Sequence, residues 1–299
     1  ARWKVHNIED YGAVSGKDST AAIHTALAAA GKEKDGSEVL IPKNGAYLTS
    51  PINVTSNVIL RVDGNLTGIR DEDKYPTVDL LPSYDTGLDA GGGLVAHHRR
   101  RHPLIWSVNT TNVTICGNGT IDGSGSYWLE LYHNKSLRVG RPHLMEIMNG
   151  TDITIAGPGL TLLNSGFWTL HPIYCNNLHI HDINIVASEC EAWGDNCNPN
   201  IDGIDVDSSH NVLIENNYIS VGDDHVTVLS GRGKAGQLYN MPSKNVTVKN
   251  NILGTGMGLS IGSSVSGGVE DVLYYNNTMR ETREQWGMGI HIKTRIGIG

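Results

Sequence analysis

One pattern constrains the fold of this chain more than any other: an Asn or Asp, then alternating apolar residues, then another Asn or Gly. It stands as Asn57-Val-Ile-Leu-Arg-Val, Asn112-Val-Thr-Ile, Asp152-Ile-Thr-Ile, Asn177-Leu-His-Ile, Asn211-Val-Leu-Ile, Asn245-Val-Thr-Val and Asp271-Val-Leu-Tyr. From Asp152 onward the steps are 25, 34, 34 and 26 residues. Each unit reads as a short strand rich in β-branched residues. Several units carry a second strand, as in Asn184-Ile-Val, Tyr218-Ile-Ser-Val and Ile252-Leu. Short strands repeating at such a period describe a solenoid.

The type of solenoid follows from what the repeats lack. Between Val113 and Gly299 no amphipathic pattern reaches ten residues, which excludes leucine-rich, ankyrin and HEAT-type arrays. Propeller blades need about 40–45 residues and four strands each. A parallel β-helix fits, with strands stacked at ~4.8 Å, apolar residues inward and Asn and Gly at the corners. Composition agrees: 36 Gly and a single Phe suit a turn-dense all-β architecture better than packed helices. Turn chemistry is the main reading of the corner asparagines.

Residues 1–299 therefore read as one β-helix domain, with 1–50 forming an opening strand and a cap. Asp18-Ser-Thr-Ala-Ala-Ile23 through Leu27 to Gly31 predicts a short helix over the open end of the solenoid. The strand rhythm is still running at Thr294-Arg-Ile-Gly-Ile-Gly299. Either further coils are missing, or another body covers that end, and extracellular assembly through it is one expectation. The chain opens at Ala1 without a signal-like apolar segment, so any targeting peptide has been removed or was never included.

Charge and hydropathy exclude several classes. Hydrophobic residues at 39% and charged ones at 18% exclude a disordered chain. No apolar run approaches the roughly 20 residues of a membrane span. Lys plus Arg is 23 and Asp plus Glu 31, giving 23 − 31 = −8, which argues against a nucleic-acid partner. An acidic polymer would need a local basic groove. The segment Arg70 to His102 breaks the rhythm and holds His97-His-Arg-Arg-Arg-His102. That run reads as a solvated loop or as a cationic lip for a polyanion.

There are four cysteines. Cys190 and Cys197 are close enough to form a small staple, whereas Cys116 and Cys175 either pair across the fold or stay buried as thiols. N-x-S/T sequons begin at Asn53, Asn65, Asn109, Asn112, Asn118, Asn134, Asn149, Asn245 and Asn276. That number favours a secreted eukaryotic glycoprotein carrying N-glycans.

The densest acidic segment is Asn200-Ile-Asp202-Gly-Ile-Asp205-Val-Asp207, and Gly222-Asp223-Asp224-His225 follows. Asp202 and Asp223 are 223 − 202 = 21 residues apart, about one coil, which would bring Asp202 near Asp223 and Asp224. Three carboxylates on one patch repel and raise at least one pKa, as glycoside hydrolysis requires. Turn aspartates or a Ca²⁺ site are the alternatives. Adjacent Asp223 and Asp224 share a site only if the chain bends, and Gly222 permits a bend.

The whole chain resembles glycoside hydrolase family 28, the polygalacturonases, and most closely its plant polygalacturonase-like branch. Ile8-Glu-Asp-Tyr-Gly-Ala-Val resembles the family's opening strand. Arg141-Pro-His-Leu-Met-Glu and Asn164-Ser-Gly-Phe-Trp168-Thr-Leu-His171-Pro-Ile-Tyr-Cys175 are similar to stretches typical of that branch. Asn200-Ile-Asp202 matches its Asn-Thr-Asp motif with Ile for Thr, and Gly222-Asp223-Asp224 its Gly-Asp-Asp motif. Ile290-His291-Ile292-Lys293-Thr294 matches its Arg-Ile-Lys-Thr motif with His for Arg.

The resemblance implies a right-handed parallel β-helix and hydrolysis of α-1,4-galacturonosidic bonds in pectin with inversion. It assigns Asp223 as general acid, Asp202 and Asp224 as holders of the attacking water, and Lys293 as partner of a substrate carboxylate. Inversion calls for acid and base carboxyls about 6.5–9.5 Å apart. His291 joins the substrate-binding set as a pH-dependent contact in place of Arg. Trp168 and His171 line the cleft or pack in its wall. His225 either supports the acid pair or is an exposed turn residue. No cofactor or metal is implied. The family's Gly-His-Gly motif appears here as Gly256-Met257-Gly258. The family usually runs for further coils past this end. A second reading is an extracellular structural or glycan-binding β-helix without turnover. A Ca²⁺-dependent pectate lyase is disfavoured, because no lyase-type Arg base is evident.

Overall fold

The computed structural model describes residues 3–84, 99–187, 200–280 and 289–296. Successive coils stack into three parallel sheets. A nine-stranded sheet runs from Lys4–Asn7 to Val269–Tyr275. An eight-stranded sheet runs from Ala46–Thr49 to Thr278–Met279, and another from Ile52–Asn53 to Ile290–Ile292. The fold is a right-handed parallel β-helix.

The recurring motif opens strands of the nine-stranded sheet. Its leading residues Asn57, Asn112, Asp152, Asn177, Asn211, Asn245 and Asp271 all have positive φ, between 53° and 60°. Asn and Asp tolerate that left-handed corner because their short polar side chains bond locally. The corners also bond to one another: Asn112 Nδ2 donates to Asn57 Oδ1 at 3.0 Å, and Asn245 Nδ2 to Asn211 Oδ1 at 2.8 Å. Behind each corner the alternating aliphatics point inward. Val113, Ile153, Leu178, Val212 and Val246 lie in one register row, and all are buried. Parallel in-register stacking puts like on like, so β-branched side chains fill the core coil after coil.

The second strands fall where the sequence places them, at Asn184–Ala187, Tyr218–Val221 and Ile252–Leu253. The cap helix is Thr20–Ala30, with Ile23, Ala26, Leu27 and Ala30 buried against the first coils. Its start is held by Asp18, whose carboxylate accepts from the Thr20 amide at 3.0 Å. Two helices shorter than ten residues, Gly125–His133 and Gly233–Tyr239, lie in the connections. Among the described residues no helix is long and apolar enough to cross a membrane.

Within the Arg70–His102 segment, Arg100 and Arg101 depart from both sequence readings. Thr77–Asp79 and Arg99–Arg101 form an antiparallel pair. Arg100 is buried and grips Glu146 with two hydrogen bonds of 2.7 Å. Arg101 is buried against Glu72. These two arginines are therefore internal ties, each buried charge being offset by a carboxylate. Cys116 and Cys175 are free thiols, and burial pushes the Cys175 thiol up to about 12. The expected Cys190–Cys197 staple and the residues His97 and His98 lie outside the described residues.

Candidate active site

The third sheet carries the site, at the entry to its strands. Asp202 precedes Ile204–Asp207, and Asp223 and Asp224 precede Val226–Leu229 on the next coil. Ile204 pairs with Val226, so Asp202 and Asp224 occupy equivalent places on adjacent coils. The chain bends at Gly222: the Gly222 and Asp223 amides both donate to the Ile201 carbonyl at 3.1 Å. That bend turns neighbouring aspartates toward one point. Asp202, Asp223 and Asp224 each bring an oxygen within 4.8 Å of the others.

The three carboxyls have different surroundings. Asp224 is buried and accepts from Lys293 Nζ at 2.5 Å and from Ser260 Oγ at 2.8 Å, with His291 Nε2 3.4 Å from its other oxygen. Asp223 is half-buried and held by the amides of Asn200 (3.2 Å) and Asp224 (3.0 Å). Burial, then the charge of Asp224, pushes its pKa up against those bonds and Lys293. Asp202 is buried, and burial followed by the charges of Asp223, Asp205 and Asp224 pushes it well above the usual range. For Lys293, burial alone would pull the ammonium down; Asp224, Asp202 and Asp223 outweigh it, and the net shift is upward. One Asp202 oxygen and one Asp224 oxygen have no hydrogen-bond partner in the protein. The trio is thus a proton-sharing set with one ion-paired member.

Of the sequence candidates, Asp202, Asp223, Asp224, Lys293 and His291 converge. Three other candidates do not face the trio. His225 and His171 are fully buried, so neither reaches a cleft. Trp168 is also buried, stacked on Phe167 with ring centroids 5.1 Å apart and edge-on to His171 at 4.9 Å. These rings lie against inner groups rather than along an open groove.

His171 instead joins a chain of alternating charges missed by the sequence reading. Its Nδ1 is 3.1 Å from Glu146 Oε2 and its Nε2 3.4 Å from Asp207 Oδ2. Two carboxylate acceptors require both ring nitrogens to carry protons. Arg100 lies beyond Glu146, and Tyr84 Oη donates to Asp207 at 2.5 Å. Asp205 shares the outward face of the same strand, buried, with neither oxygen hydrogen-bonded to protein. Burial pushes its carboxyl well above the ordinary range, countered by His171. The signal was present as alternation: Ile204 and Val206 point inward, so Asp205 and Asp207 must point outward.

Fold and site together define a class, a parallel β-helix of glycoside-hydrolase type with convergent carboxylates. Comparison with known proteins gives the family. The family model described as glycosyl hydrolases family 28 matches residues 33–298, and the chain belongs to that family. It is 38% identical to a probable polygalacturonase of Vitis vinifera over 269 residues, covering 88% of this chain and 51% of that protein. It is 30% identical to an exopolygalacturonase of Zea mays, covering 82% of this chain and 51% of that protein. The solved structure of a hyperthermoactive exopolygalacturonase from Thermotoga maritima superposes with a TM-score of 0.81 at 26% identity, covering 97% of this chain and 69% of that one. The chain spans about half the length of these curated relatives.

Proposed function

We propose that this chain carries the catalytic β-helix of a pectin-degrading hydrolase that cleaves α-1,4-galacturonosidic bonds with inversion. The observation that carries the reading is the convergence of Asp202, Asp223 and Asp224 on one point, with Lys293 on Asp224. Asp223, half-buried and with a raised pKa, is the general acid. It gives its proton to the glycosidic oxygen as the C1–O bond breaks. Asp224, paired with Lys293, takes a proton from a water held between it and Asp202. That water's oxygen bonds to C1. Lys293 and His291 border the trio and meet the carboxylate of a galacturonate unit.

The protein is proposed to be secreted and to act on cell-wall galacturonan. All nine sequon asparagines are exposed, which supports N-glycosylation; a mass shift on endoglycosidase treatment of protein from a secreting host tests it. A second reading, a glycan-binding β-helix without turnover, is favoured by Met257 in place of the family's motif His. One assay separates the two. The active reading expects reducing ends from polygalacturonate and their loss in Asp223→Asn. No release from galacturonan, rhamnogalacturonan or xylogalacturonan between about pH 4 and 7 would leave the second reading.

A further inference from the structure

We propose that His225 is a positioning residue whose neutral imidazole fastens the 254–258 loop beneath Asp223. This rests on the reading of Asp223 as the acid. The Gly258 amide donates to His225 Nδ1 at 3.0 Å, and the Gly254 carbonyl lies 3.0 Å from Nε2. An amide needs a bare nitrogen and a carbonyl needs an N–H. The two partners together specify the Nε2–H tautomer. The His225 amide also donates to the Gly258 carbonyl at 2.9 Å, so the loop is gripped by both ring and backbone.

Packing makes the grip specific. Gly256 sits at φ +152°, and a Cβ there would lie 2.5 Å from His225 Cε1. The ring is pressed flat under the middle of the loop, where only glycine fits. From the loop two bonds lead to the acid pair. The Met257 amide donates to the Asp223 carbonyl at 2.8 Å, and the Val221 amide donates to the Thr255 carbonyl at 2.8 Å. Both flanks of the bend at Gly222 are thus tied to a loop that His225 holds from below. Displacing the ring displaces the backbone that aims Asp223.

The clamp holds while the ring is uncharged. A proton on Nδ1 would face the Gly258 N–H, donor against donor. Burial pulls the ring's pKa down; the Gly254 and Gly258 contacts and the charge of Asp224, its chain neighbour, act the other way. Asp224 is the charged group that bears on the ring among the described residues. The clamp therefore persists into the acid range that a protonated Asp223 needs.

Long-range ¹⁵N–¹H spectra of the full chain test the proposal without any assay. The expected result is a neutral Nε2–H signature for His225 from about pH 7 down to about pH 5. A Nδ1–H tautomer, or titration near the ordinary histidine value, would overturn it. On polygalacturonate, His225→Asn and Gly256→Ala should each lower kcat by about 10²-fold, with KM little changed and the pH–rate profile displaced. Folded variants with wild-type kcat and profile would overturn it equally. The tautomer reading needs no turnover, so an inactive wild type would sink the polygalacturonase reading alone.

Discussion

The Lys293 ammonium lies 2.5 Å from Asp224 Oδ2, although 69 residues separate the two in sequence. The β-helix makes that pairing cheap, because Leu259–Ile261 pairs with both Val226–Leu229 and Ile290–Ile292 and places them two coils apart. Lys293 sets a positive charge against Asp224, the carboxylate proposed above as the base. Lys293→Met should lower kcat/KM by about 10²–10³-fold. Lys293 pulls the carboxyls of Asp223 and Asp202 down against their burial, so its removal should move the pH–rate profile, acid limb included, to higher pH. An unchanged acid limb would show that Lys293 serves only the substrate.

The packing of the aspartates bears on stereochemistry. One oxygen of each aspartate lies within 4.8 Å of the others, a span that a single water can bridge with two ordinary hydrogen bonds. Inversion needs a water shared by Asp202 and Asp224 on the face of the sugar opposite the departing oxygen. Proton NMR of the first product should then show the β-anomer at the new reducing end. Initial appearance of the α-anomer would make one aspartate a nucleophile instead. Asp223→Asn should cost about 10²–10⁴-fold in kcat under either course.

The corners and the inner stripe of the nine-stranded sheet were legible in the sequence, because a left-handed Asn followed by alternating aliphatics has few other uses. The meeting of Asp202 with Asp223 and Asp224 was legible from one number, the length of a coil. The outward face of the third sheet was not. His171, Trp168 and Arg100 look like groove residues when read singly, since aromatic and cationic side chains line sugar sites. What buries them is packing by segments distant in sequence, as when Arg100 reaches Glu146 across 46 residues. Spacing along the chain carries no signal for such a cover. His225 was ambiguous for the same reason: its partners are backbone atoms at 254 and 258, which no side-chain pattern announces.

A buried asparagine ladder makes a separate prediction about stability. Asn251 Oδ1 accepts from the amide and the side chain of Asn217, and its Nδ2 donates to the Ile214 carbonyl and to Asn277 Oδ1. Asn251→Ala removes these bonds and strands the buried Asn217 amide and the Ile214 carbonyl. Unsatisfied buried groups cost about 1–3 kcal/mol each, so a loss of about 2–4 kcal/mol is expected in denaturant unfolding. A loss below about 1 kcal/mol would mean that water replaces the side chain.

The charge chain through His171 predicts how stability depends on pH. Burial alone would pull the ring down, but its bonds to Asp207 and Glu146 dominate and push it from 6.5 up to about 9. A raised folded-state value means that the folded protein holds the proton more tightly than the unfolded chain does. Its stabilisation is complete below pH 6.5 and is lost as pH rises to about 9. The full effect is of order 3 kcal/mol. Glu146 acts in the opposite direction: Arg100 and the two histidines outweigh its burial and lower its carboxyl, so its contribution fails only in acid. His6, His102 and His143 are all held neutral by burial, and they add stability as pH rises through the ordinary histidine range. The informative quantity is therefore a difference between two proteins. His171→Gln should melt well below wild type near pH 6 and converge toward it near about pH 9. Parallel melting curves across that range would show that His171 is neutral in the folded protein and that Glu146 and Asp207 are balanced by other groups.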